Sequence, residues 1–100
     1  MSDSPDDTTV SGSVSREIPI TNKRGLHARA SAKFVQTVEK FSADVTVTRN
    51  GETVGGTSIM GLMMLGAAMG DSIIISADGD GAEAAVASLS DLVEAKFGED

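Results

Sequence analysis

With 100 residues, no cysteine and one histidine, the chain suits a single domain that buries about two-thirds of its unfolded surface, and it can form neither a disulfide nor a thiolate centre. A zinc site would have to rely on carboxylates, which zinc seldom accepts alone, so no metal and no cofactor is expected. The formal net charge of −7 argues against general nucleic-acid binding.

In chain order, residues 1–13, MSDSPDDTTVSGS, are acidic and rich in Ser and Thr, with neither a basic segment nor an apolar core of the signal-peptide kind. They read as a disordered acidic tail ahead of one domain spanning 14–100. Arg16 to Thr21 alternates, with Ile18 and Ile20 on one face, and predicts a strand; Pro19 cannot donate to a ladder, which makes it an edge strand. From Ala28 to about Lys40, apolar residues at 30, 34, 35, 38 and 41 predict a helix with one buried face. Arg29, Lys33, Gln36 and Lys40 share its exposed stripe.

Val45 and Val47 alternate with threonines in a second strand from Ala43 to Thr48, and Asn50-Gly51 supplies the pair of positive φ angles that a type I′ hairpin needs before Glu52 to Val54 returns. Ser58 stands as N-cap of a short apolar helix over Ile59 to Leu65, closed by Gly66 and Gly70. Ile73-Ile74-Ile75 predicts a central strand covered on at least one face. Ala82 to Phe97 predicts a long helix with Gly98 just past its end. The order βαββαβα is solved most economically by a two-layer α/β sandwich, with helices crossing one face of a four-stranded sheet. The longest apolar run, Ile59 to Met69, has eleven residues, short of the roughly 20 that cross a bilayer, so a cytoplasmic protein without membrane insertion is expected.

The single histidine, His27, falls just before the first predicted helix. The leading N–H groups of a helix lack intrahelical partners and carry partial positive charge, which prepares the place for an anion. Arg29, in the first turn, adds a planar fork suited to phosphate oxygens. Residues 16–40 hold six of the eight Lys and Arg against two Glu, so a basic segment surrounds the imidazole inside an acidic chain. These parts favour a nucleophilic imidazole that accepts a phosphoryl group. The competing interpretation is a surface histidine without a role, in a plain α/β interaction module. From sequence no second acid or base can be placed beside His27, which disfavours an enzyme with its own active site.

The stretch GLHARASAKFV, followed by a strand, an Asn-Gly hairpin, a Ser-initiated short helix and a C-terminal helix, resembles the HPr family, the histidine-containing phosphocarriers of the bacterial phosphoenolpyruvate-dependent phosphotransferase system. The resemblance covers about residues 15–97. It implies an open-faced two-layer β-sandwich, with a four-stranded antiparallel sheet covered by three helices. It also implies that His27 is phosphorylated on Nδ1 by phosphorylated enzyme I, that an enzyme II A-type protein takes the group on, and that Arg29 is the active-site arginine. Members of the family usually carry proline after that arginine, where this chain has Ala30. Alanine keeps the helix and restores one backbone N–H near the site.

Ser58 also aligns with the serine that a dedicated HPr kinase/phosphorylase modifies in many members. A phosphate there would add a charge of about −2 beside a docking face, which makes a regulatory protein, acting through Ser58 and docking to a kinase or transcriptional regulator, the alternative to a phosphocarrier. The helix after Ser58 is apolar on every side except for glycine, and a small domain cannot bury all of it. Leu62 and Leu65 are expected in the core. Ile59, Met60, Met63 and Met64, with Ala28 and Lys33, are expected to form a docking surface whose thioethers adapt to successive partners. Ala30 and the lysine-poor docking helix lean towards the nitrogen-related branch of the family rather than sugar uptake.

Overall fold

A computed structural model describes residues 13–99. Strand β1 runs Ser13–Pro19, helix α1 Ala28–Val38, strands β2 and β3 Asp44–Arg49 and Glu52–Gly55, helix α2 Ile59–Met64, strand β4 Ser72–Asp78 and helix α3 Ala82–Glu94, followed by a 3-10 turn at Lys96–Gly98. The sheet order is β1-β4-β2-β3, antiparallel throughout. Two sequence expectations hold here: β1 is an edge strand, ending on Pro19 opposite Ser72, and the isoleucine-rich β4 lies inside the sheet.

The alternation of residues decides which face of the sheet is covered. Ile18, Val45, Val47, Ile73, Ile75 and Ala77 turn inward and are buried, while Ile74 points to the open face and keeps 38% of its surface exposed. Facing them, α1 contributes Ala30, Phe34, Val35 and Val38, and α3 contributes Ala82, Ala85, Val86, Leu89 and Val93. The result is the two-layer, open-faced sandwich that the patterning predicts. The β2–β3 turn follows from Asn50 and Gly51, with φ of 50° and 81°, between the paired residues Arg49 and Glu52.

Several boundaries differ from the sequence reading, those of β2, β3 and α2 by a single residue. Ser13, assigned there to the acidic tail, belongs to β1; residues 1–12 of that tail lie outside the described residues. The first strand ends at Pro19, and Ile20 is buried beyond it with its N–H donated to the Asp71 carbonyl at 2.7 Å. Helix α1 stops at Val38, because Lys40 N–H and Phe41 N–H turn to the tighter i−3 carbonyls of Thr37 and Val38. Helix α3 stops at Glu94, three residues short of Phe97. Lys96, Phe97 and Gly98 all have positive φ (58°, 57° and 77°), so the chain reverses and carries Phe97 back into the core, where it is fully buried. The apolar spacing placed Phe97 in the core correctly, but the backbone gets it there by a left-handed turn.

Ser58 caps α2 as expected: its Oγ accepts the Gly61 N–H at 2.9 Å. Ser58→Ala should cost about 1 kcal/mol, read as a lower urea midpoint with an unchanged denaturant slope.

Candidate functional site

The site grows out of the turn before α1. Gly25 has φ of +64°, and a Cβ there would stand 2.8 Å from the Ala68 Cα, so only glycine allows the 22–27 turn to lie against the 66–71 loop. Leu26 N–H donates to the Ala67 carbonyl at 3.0 Å across that approach, and buried Ser31 Oγ donates to the Leu26 carbonyl at 3.2 Å, tying the turn to α1. Across the same loop, Arg49 donates to the Leu65 carbonyl at 2.9 Å and pairs with Asp71 at 3.0 Å. Leu26 is buried, which fixes the next residue at the rim of the core.

That residue is His27, the N-cap of α1, with extended backbone (φ −72°, ψ 179°). Its carbonyl accepts the Ser31 N–H at 2.9 Å, the first bond of the helix. Its ring Nδ1 accepts the Arg29 N–H at 3.3 Å. Nδ1 therefore presents a lone pair at the positive end of α1, beside the N–H groups of Ala28, Arg29 and Ala30 that have no intrahelical acceptor. The ring keeps 15% of its surface exposed, enough for a partner to reach it.

The other ring nitrogen, Nε2, hydrogen-bonds to the carboxylate of Glu99. The second carboxylate oxygen of Glu99 accepts from Asn22 Nδ2 at 3.3 Å, and the same Nδ2 donates to the Gly25 carbonyl at 2.8 Å. The His27 hydrogen bond, with help from Asn22 and the field of Arg24, holds the Glu99 carboxyl below the usual carboxylate range, against the opposing effect of burial. Glu99 binds its proton less tightly in the folded chain than in the unfolded one. Its contribution is therefore complete above the ordinary carboxylate pKa and fades as the pH falls through the lowered one.

Beside the ring lies a cleft of about 420 Å³ lined by Lys23, Arg24, Arg29, Lys33 and Lys96, with Glu99 as its one acid among the described residues. Such a surface attracts anions. Arg29 is exposed and lines this cleft, as its place in the first turn requires. Lys33 is half-buried, and its ammonium donates to the Phe97 carbonyl at 2.6 Å, so part of its charge serves the C-terminal turn rather than an open docking face.

The apolar residues of α2 divide as expected. Leu62 and Leu65 are buried, whereas Ile59, Met60, Met63 and Met64 are 41%, 68%, 40% and 75% exposed. Met69, which was not singled out from sequence, joins the exposed apolar residues. Helix α2 packs against α1, and Ala28, Ser58 and Gly61 stay accessible. Glu99 and Asn22 were missed from sequence altogether. Glu99 lies 72 residues from its partner, and no local pattern marks such a pairing.

A family model described as "PTS HPr component phosphorylation site" matches residues 14–95. The chain belongs to the HPr family, the phosphocarriers of the phosphotransferase system. It is 51% identical over 84 residues to a phosphocarrier protein HPr of Neisseria meningitidis, covering 84% of this chain and 94% of that relative. It is 38% identical over 84 residues to a phosphocarrier protein NPr of Shewanella violacea, covering 84% and 92%. The crystal structure of HPr-C-His from Thermoanaerobacter tengcongensis superposes with a TM-score of 0.83 at 47% identity, covering 87% of this chain and 98% of that one. The HPr fold thus extends over nearly all of the described residues.

Proposed function

We propose that this HPr-family chain carries a phosphoryl group on Nδ1 of His27, received from phosphorylated enzyme I and passed to an enzyme II A-type acceptor. One observation carries the reading: Nδ1 offers its lone pair at the N-terminus of α1, against the Arg29 amide. When a phosphoryl group takes that lone pair, the Arg29 N–H turns from the ring nitrogen to a phosphate oxygen, together with its neighbours in the first turn. The Arg29 guanidinium closes over the group from the exposed side. In this reading the protein is itself the substrate of each partner in turn, loaded by one and unloaded by the next, and it turns over no small molecule. The exposed Ile59, Met60, Met63 and Met64, with Ala28 and part of Lys33, supply an adaptable surface for two successive partners.

Among the described residues no helix is long and apolar enough to cross a membrane; the cytoplasmic location we propose rests on membership of the phosphocarrier family. Relatives named HPr are 51% and 39% identical and one named NPr is 38% identical, so the identity of the acceptor is what decides between sugar uptake and the nitrogen-related branch favoured by Ala30.

Incubation with enzyme I and phosphoenolpyruvate should yield a stoichiometric, acid-labile and base-stable phosphate on a peptide containing His27. Adding candidate II A-type proteins one at a time then identifies the acceptor by loss of that label. An adduct on any other residue would sink the assignment.

The exposure of Ser58 at the head of α2 favours a second, regulatory use of the same surface. An HPr kinase/phosphorylase modifying Ser58 would set a charge of about −2 beside Met60 and the basic cleft. Such a charge would weaken the docking of acidic partners.

A further inference from the structure

We propose that Glu99 is a positioning residue for phosphoryl transfer at His27: its carboxylate keeps the ring proton on Nε2, leaves Nδ1 as the nucleophile, and offsets the positive charge the ring acquires when the N–P bond forms. The inference rests on the reading of His27 as acceptor given above.

The two sides of the ring agree on one tautomer. Nδ1 faces a donor, the Arg29 N–H, and so must offer a lone pair. Nε2 faces a carboxylate, which can only accept, and so must hold a proton. Neither contact would tolerate the opposite tautomer, and the arrangement leaves the phosphoryl-accepting nitrogen on the side of the helix N-terminus.

Glu99 is not a loose terminal side chain. Its other oxygen is held by Asn22 Nδ2, and buried Asn22 is itself fixed to the Gly25 carbonyl of the turn that presents His27. Its backbone follows the left-handed run of Lys96, Phe97 and Gly98, which is anchored by the buried Phe97 ring and by Lys33 Nζ on the Phe97 carbonyl. Helix α1, the 22–27 turn and the C-terminal turn therefore all bear on one carboxylate.

In the transfer, the Nδ1 lone pair attacks the phosphorus of the phosphorylated donor protein. The N–P bond forms as the donor's bond to phosphorus breaks and its electron pair returns to the donor. The ring keeps its Nε2 proton and becomes cationic, and Glu99 lies next to that cation on the side of the ring away from the phosphoryl group. Passing the group to an acceptor reverses these changes, and the N–P pair returns to Nδ1. The carboxylate acts as the buried acid of a Ser-His-Asp triad does, orienting an imidazole and balancing its charge without taking its proton.

The test uses ring-15N-histidine full-length protein as wild type, Glu99→Gln and Glu99→Ala, with enzyme I and phosphoenolpyruvate. The wild type should show a single tautomer, with a downfield, slowly exchanging Nε2 proton in the NMR spectrum. Glu99→Ala should lose that proton signal and move the two ring 15N shifts towards a tautomer mixture. Glu99→Gln, which keeps an acceptor but removes the charge, should accept phosphate about tenfold more slowly, the lower end of what one hydrogen bond to a charged group contributes. Both variants should keep the far-UV circular dichroism of the wild type, since the side chain lies at the edge of the fold. Unchanged ring shifts in Glu99→Ala, or unchanged acceptance rates in both variants while His27 of the wild type is labelled normally, would overturn this inference and leave the function standing. Absence of label on wild-type His27 would overturn both.

Discussion

His27→Ala is expected to abolish acid-labile phosphorylation outright, with no residual label above background. The chain holds no second imidazole to substitute for the first, and the hydroxyl groups of the site region form phosphoesters that survive acid. Any label left in the variant would therefore be chemically distinguishable, and acid-stable label would point to a serine such as Ser58. The alanine variant has a second effect that must be separated from the first. His27 is also the N-cap of α1, with Nδ1 on the Arg29 amide, and losing a cap costs about 1 kcal/mol. His27→Asn resolves the two effects, because asparagine is among the best capping residues yet cannot carry the phosphoryl group. It should fold with near-native stability and accept nothing. An asparagine variant labelled as well as wild type would show that the imidazole is only a cap.

The largest expected loss of stability comes from Phe97→Ala. This ring is fully buried, and removing a buried phenylalanine typically costs 3–5 kcal/mol once the cavity is counted. For a domain of about this size each kcal/mol corresponds to roughly 4–8 °C in melting temperature, so a fall of at least about 12 °C is expected in calorimetry. The substitution should also reach the site. Phe97 closes the turn whose carbonyl takes Lys33 and whose continuation carries Glu99 to His27, so the Nε2 proton signature of His27 should weaken even at temperatures where the variant remains folded. A melting temperature within about 3 °C of wild type, equivalent to less than 1 kcal/mol, would mean that the C-terminal turn contributes little to the core. Phe97→Leu, which keeps most of the apolar volume, should fall between the two.

Much of the molecule could be read from local pattern, because local pattern is what creates it. Period-2 alternation decides which face of β1, β2 and β4 is buried, since successive side chains point to opposite sides of a strand. The 3.6-residue spacing of Ala30, Phe34, Val35 and Val38 decides the buried stripe of α1. Asn50-Gly51 sets the β2–β3 hairpin through its two positive φ angles. Ser58 marks the start of α2, and His27 with Arg29 marks a helix N-terminus suited to an anion. Each of these features depends on residues within a few positions of one another.

What only the tertiary structure decided is the company His27 keeps. Glu99, Asn22 and the ammonium of Lys33 meet around the ring and the C-terminal turn because β4 and α3 bring the end of the chain back across the start of α1. The reversal at Lys96, Phe97 and Gly98 is equally invisible to periodicity: a helical stripe that includes position 97 predicts burial there, but gives no sign that two non-glycine residues adopt positive φ to achieve it. Sequence spacing encodes contacts a few residues apart. A partner 72 positions away from His27 is selected by the packing of the whole sheet and its helices, and that selection is what turns a lone histidine with a helix behind it into one held from both sides.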